Sequence, residues 1–165
     1  MFKHIKYFFQ GKSSLKDQLG KESKGAADPK EVKIHINNLQ QIATAVLLVE
    51  VAAADNEIVK QEAEAVCRVM QHQLGIPEDE VPQLVEIAVE SRKKSGKIDE
   101  FVEILADRLG IRERQVILAM IWKVVIADGK IDDFEKEFAA DIQYRFRLTD
   151  AQGKEARKMA DEGTL

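Results

Sequence analysis

Apolar residues in this chain gather into segments of helical length separated by short polar breaks. Residues 45–54 are apolar on nearly every side of a helical wheel, and the stretch from Val116 to Ala127 repeats that character. Two such segments predict a pair of buried central helices. Asp28-Pro29 predicts the start of the first, an N-cap acceptor followed by Pro at the first helical position, with no breaker before Ala54. A second helix, over 59–74, has an apolar stripe at Ala63, Val66, Cys67, Met70 and Leu74, which makes Cys67 a core residue rather than a reactive thiol. Gly75-Ile76-Pro77 ends it. A third helix, its start blurred by Pro82, runs to Lys94 before the Ser95-Gly96 break. Phe101, Val102, Leu105 and Leu109 form the inner face of a fourth that stops at Gly110. The fifth is the buried segment 112–127, and a sixth carries Phe134, Phe138, Ile142 and Phe146. Thr149 opens a seventh, with Gln152 at the capping-box position. No hairpin signal and no alternating strand pattern occurs. The prediction is an all-α fold of about seven helices.

One segment is written twice. It reads Ala127-Asp128-Gly129-Lys130-Ile131-Asp132-Asp133-Phe134-Glu135 in one copy and Ala54-Asp55-Asn56-Glu57-Ile58-Val59-Lys60-Gln61-Glu62 in the other. In each, an Asp follows the buried helix and a Glu comes seven residues later (135 − 128 and 62 − 55); the copies lie 73 residues apart (128 − 55). The offset predicts two pseudo-repeated halves, with 36–74 and 109–147 as the repeated unit. Gly129 and Asn56 suit a left-handed helix stop. Asp132 with Glu135 makes a capping box worth about 1 kcal/mol, whereas Val59 at the equivalent position has no side-chain acceptor.

Asp55 and Asp128 ask for more. A carboxylate in the last turn of a helix opposes the macrodipole at a cost of about 0.3–1 kcal/mol. Two readings supply the compensation. In one, the N–H groups at the start of the next helix donate to it. In the other, Asp55, Glu62, Asp128 and Glu135 hold a divalent cation between facing repeats, and all-oxygen ligands suit Ca²⁺ or Mg²⁺. The segment is not an EF-hand, because the twelfth position counted from Asp128 is Ala139. Glu50 and Lys123, equivalent by the repeat (123 − 50 = 73), interrupt the two buried helices. They either pair with each other or snorkel to solvent.

Composition narrows the function class. With 45% hydrophobic and 33% charged residues, the chain is a charge-decorated globular protein of one domain with an N-terminal extension. The net charge of −4 is uneven: residues 1–28 carry six Lys and three acids, a net of +3, leaving −7 for residues 29–165. An acidic domain argues against nucleic acid as partner. Within residues 1–28, Met1–Phe9 places Phe2, Ile5, Phe8 and Phe9 near one side of a helix and Lys3 and Lys6 on the other. That pattern reads either as a basic amphipathic anchor for a membrane surface or partner, or as a tail packed on its own domain. Residues 10–27, with Gly11, Ser13, Ser14, Gly20, Ser23 and Gly25, read as a flexible linker. A single Cys and no signal peptide indicate the cytoplasm, and no apolar run approaches the roughly 18 residues of a membrane span. His4, His35 and His72 have no ligand spacing, and no phosphate loop, nucleophile elbow or Cys-x-x-Cys occurs. The chain is expected not to be an enzyme.

The doubled Ala-Asp-Gly/Asn-x-Ile-x-x-x-Glu pattern at the ends of buried helices, with Trp122 before the second copy, resembles the TerB-like family of bacterial tellurite-resistance and stress proteins. The resemblance covers roughly residues 30–160. It implies an all-helical domain of two related halves (residues 29–165 here) and a non-enzymatic interaction role with an unidentified protein partner. It also implies an acidic surface suggested to bind metal, whose positions map onto Asp55, Glu62, Asp128 and Glu135. A similar domain precedes the J-domain of a membrane-anchored DnaJ-type co-chaperone, but no His-Pro-Asp motif is present here.

Overall fold

A computed structural model describes residues 34, 36–53, 58–95 and 98–165, and within them seven α-helices and no β-strand. They are α1 (Asn38–Ala52), α2 (Lys60–Leu74), α3 (Val81–Ser95), α4 (Ile98–Arg108), α5 (Ile111–Val125), α6 (Asp133–Arg145) and α7 (Asp150–Asp161). No helix among the described residues is long and apolar enough to cross a membrane.

The two all-apolar helices are the axis of the domain. Ala43, Ala45, Leu47 and Leu48 of α1 and every residue from Val116 to Ile121 of α5 are fully buried. Such helices need cover on all sides, and the remaining five provide it. α1 packs against α2, α3, α4, α5 and α6, while α5 packs against α1, α2, α6 and α7. The starts of α1 and α5, and of α2 and α6, differ by the same 73 residues (111 − 38 and 133 − 60). Under that shift the partners α2 and α6 of α1 become the partners α6 and α2 of α5, while α3 and α7, which cover α1 and α5, start 69 residues apart (150 − 81).

Local chemistry sets the helix ends. The uninterrupted helix expected from Asp28-Pro29 to Ala54 does not form, since residues 36 and 37 are not helical and α1 begins at Asn38. The Asn37 carboxamide accepts the Gln40 N–H at 3.0 Å, and Gln40 Oε1 accepts the Asn37 N–H at 2.9 Å, a complete capping box. Asp28 and Pro29 lie outside the described residues, as does the N-terminal extension. Thr149 and Gln152 cap α7 in the expected reciprocal way. Gly129, at φ 76, ends the turn after α5, where a side chain would be strained.

Three sequence expectations need correction. In α2, Ala63 faces solvent, whereas Glu62, Ala65, Val66, Val69, Met70, Gln73 and Leu74 face the core and partly buried Cys67 packs against it, as expected. In α6, Phe134 is 66% exposed, and Glu135 points inward with Ala139 and Ile142 instead. Glu50 and Lys123 do not pair with each other. Glu50 accepts from Arg92 of α3, and Lys123 Nζ reaches the Ala160 carbonyl of α7 at 3.5 Å. Each charge turns toward a helix that packs on its own, α3 for Glu50 and α7 for Lys123.

Candidate acidic site

The site forms where the two copies of the repeated segment deliver their glutamates. Glu62 and Glu135 are each the third residue of a helix, and each side chain folds back to its helix start. Glu135 Oε2 accepts the Asp132 N–H at 3.1 Å, and Asp132 Oδ1 accepts the Glu135 N–H at 2.8 Å. Glu62 Oε2 accepts the Val59 N–H at 3.3 Å, and Val59 returns nothing from its side chain. A negative charge near a helix N-terminus is favourable in itself. Burial is not: the two residues are only 6% and 5% exposed.

Glu62, from the first copy, comes close enough to Glu135 for its charge to act there. Burial pushes the Glu135 carboxyl up from 4.5 to about 7, and the charges of Asp132, Glu62 and Asp128 push in the same direction. The hydrogen bond from the Asp132 backbone opposes the rise without cancelling it. Glu135 therefore sits in a pocket of negative potential built from both repeats.

Asp128 behaves differently from its sequence reading. α5 ends at Val125, so Asp128 lies beyond the last turn rather than within it. Its Oδ1 accepts the Lys130 N–H at 2.8 Å, a local turn bond rather than a cap on the next helix. Asp55 lies outside the described residues. The structure thus brings Glu62 and Asp128 each within electrostatic reach of Glu135. Asp132 joins them, a residue the sequence reading used only as a cap.

In chemical class, this set offers hard oxygen donors suited to Ca²⁺ or Mg²⁺, and a Glu135 carboxyl that resists ionising alone would gain from a cation. In geometry, the described residues hold no group of three or more His, Cys, Asp or Glu side chains gathered closely enough to hold a metal ion. Cys67 is free, and burial raises its thiol pKa, the opposite of an activated nucleophile.

Comparison with known proteins agrees with this architecture. The profile of a family described as "Tellurite resistance protein TerB" matches residues 41–158. No curated protein matches the chain. A solved structure, the crystal structure of a protein of unknown function from Porphyromonas gingivalis W83, is similar at a TM-score of 0.60 and 19% sequence identity. The similarity covers 78% of this chain and 98% of that one. At that identity it speaks for the fold alone.

Proposed function

This chain belongs to the TerB family, and from that premise we propose that it is a non-enzymatic interaction domain of a bacterial stress or tellurite-resistance response in the cytoplasm. The observation that supports the reading most is the acidic end formed by the two repeats. Glu62 and Glu135 are buried there, and Asp128 and Asp132 lie close enough to act on Glu135. Carboxylates gathered at one end of a domain attract a positively charged group. The complementary partner is a basic protein surface.

The test is affinity capture with the wild type and with Asp128→Asn. Loss of the captured protein, with an unchanged circular-dichroism spectrum, supports the reading. Undiminished capture, or turnover of a substrate by the purified chain, overturns it.

A second reading is favoured by the raised Glu135 carboxyl: a divalent-metal-binding or metal-sensing protein using Asp55, Glu62, Asp128 and Glu135. Calorimetric titration with Ca²⁺ and Mg²⁺ tests it, and no heat at millimolar ion sinks it.

A further inference from the structure

Four large apolar side chains are strongly exposed among the described residues, and two of them, Phe134 (66%) and Tyr144 (82%), are on α6. At 100° per residue, Phe134, Glu137, Asp141 and Tyr144 share one side of that helix, and all four are exposed. The two rings stand about 15 Å apart along the axis, with two carboxylates between them. Asp133 and Lys136 flank the face and lie 3.8 Å from each other. Asp141 leans toward Arg145 at 3.5 Å, and Arg145 also pairs with Asp99. The face is therefore aromatic at its ends and acidic in the middle.

We propose that this α6 face docks the chain's own N-terminal segment, Met1–Phe9. Three observations select that occupant. The first is charge: Met1–Phe9 carries Lys3 and Lys6 and no acid, against Glu137 and Asp141 on the face. A second copy of α6 would instead set like charges against each other, which counts against self-association.

The second is fit. Phe2, Ile5, Phe8 and Phe9 are apolar at helical spacing, and nine helical residues are about 13 Å long, close to the distance between the two rings. The third is reach. The first described residue, Ile34, is tied by its N–H to the Gln73 carbonyl at 2.9 Å. The 24 residues between Phe9 and Ile34 (33 − 9) include Gly11, Ser13, Ser14, Gly20, Ser23 and Gly25. Such a chain spans about 24–29 Å root-mean-square, comparable with the width of a domain of this size. A tether of that length holds the segment at roughly millimolar effective concentration, so weak docking suffices for occupancy.

The experiment uses the full chain, with Cys67→Ala and a nitroxide on Gln10→Cys, labelled with ¹⁵N. The expected result is paramagnetic broadening concentrated on amides of residues 133–144. It should be lost in Phe134→Ser with Tyr144→Ser, and lost again in Lys3→Glu with Lys6→Glu. Broadening that spares α6, or survives both pairs of substitutions, overturns the proposal. So does broadening of ¹⁵N chains by spin-labelled ¹⁴N chains in a mixed sample, which would place the occupant on a second copy.

Discussion

Replacing Glu135 by Gln isolates what the buried charge costs. The folded protein holds the carboxyl proton until about pH 7, whereas the unfolded chain releases it near 4.5. Between those values the native state binds more protons than the unfolded state, so stability falls as pH rises through that window. Below it both states are protonated, and above it both are ionised. The total loss is about 3 kcal/mol, from 1.4 kcal/mol per pH unit over the window. Gln is the neutral isostere of the protonated acid, and its carbonyl can accept the Asp132 N–H as Glu135 Oε2 does at 3.1 Å. Its extra amide hydrogen costs something if left without an acceptor, on the order of 1 kcal/mol.

Urea titrations of both proteins from pH 4 to 9 measure the difference. At pH 4 the curves should lie within about 1 kcal/mol of each other. At pH 8 the Gln variant should be more stable by about 2–3 kcal/mol, which moves its urea midpoint up by about 1 M. Parallel stability–pH curves would refute the reasoning, because they would mean that the Glu135 proton is not shifted by folding. Repeating the pH 8 titration with millimolar Ca²⁺ or Mg²⁺ separates the two functional readings. A cation held by the site raises the wild type and leaves Glu135→Gln unmoved.

Asp128→Asn should change stability by less than about 0.5 kcal/mol in ion-free buffer, since Asn keeps an acceptor for the Lys130 N–H, and thermal melts check it. Asn37→Ala should cost about 1 kcal/mol by urea denaturation, because it removes the side-chain acceptor at the start of α1. Ile121→Ala, at a fully buried position in α5, should cost about 2–5 kcal/mol by the same measurement. A loss below about 1 kcal/mol there would contradict the central position of that helix.

The fold was legible because its strongest signals are large. Residues 45–53 and 116–125 have almost no polar side, and a helix without a polar side has to be central. The 73-residue recurrence then related the helices on either side. Less legible was the start of α1. Asp28-Pro29 and Asn37-x-x-Gln40 are both plausible caps, and the second begins the helix by making two bonds at once. Phe134 misled for a related reason. Its spacing to Phe138 and Ile142 looks helical, yet Glu135 lies closer to the centre of the stripe, seven residues before Ile142 and four before Ala139. Ranking by hydrophobicity alone turns the helix by about 100°.

The same geometry bears on what the glutamates are for. Glu62 precedes Val66, Val69 and Gln73 by four, seven and eleven residues, the spacing of a core position, just as Glu135 precedes Ala139, Ile142 and Phe146. Capping does not require the charge, because Gln at the third position serves equally well. It does not explain Glu62 fully, because Val59 returns no side-chain bond. A cap is worth about 1 kcal/mol, whereas keeping Glu135 ionised at neutral pH costs about 3 kcal/mol. In the isolated chain the rest of the fold carries that difference, and a positive group meeting the site would remove it. The pH 8 comparison of wild type and Glu135→Gln measures the deficit, and the partner or ion that removes it from the wild type alone is the ligand of the site.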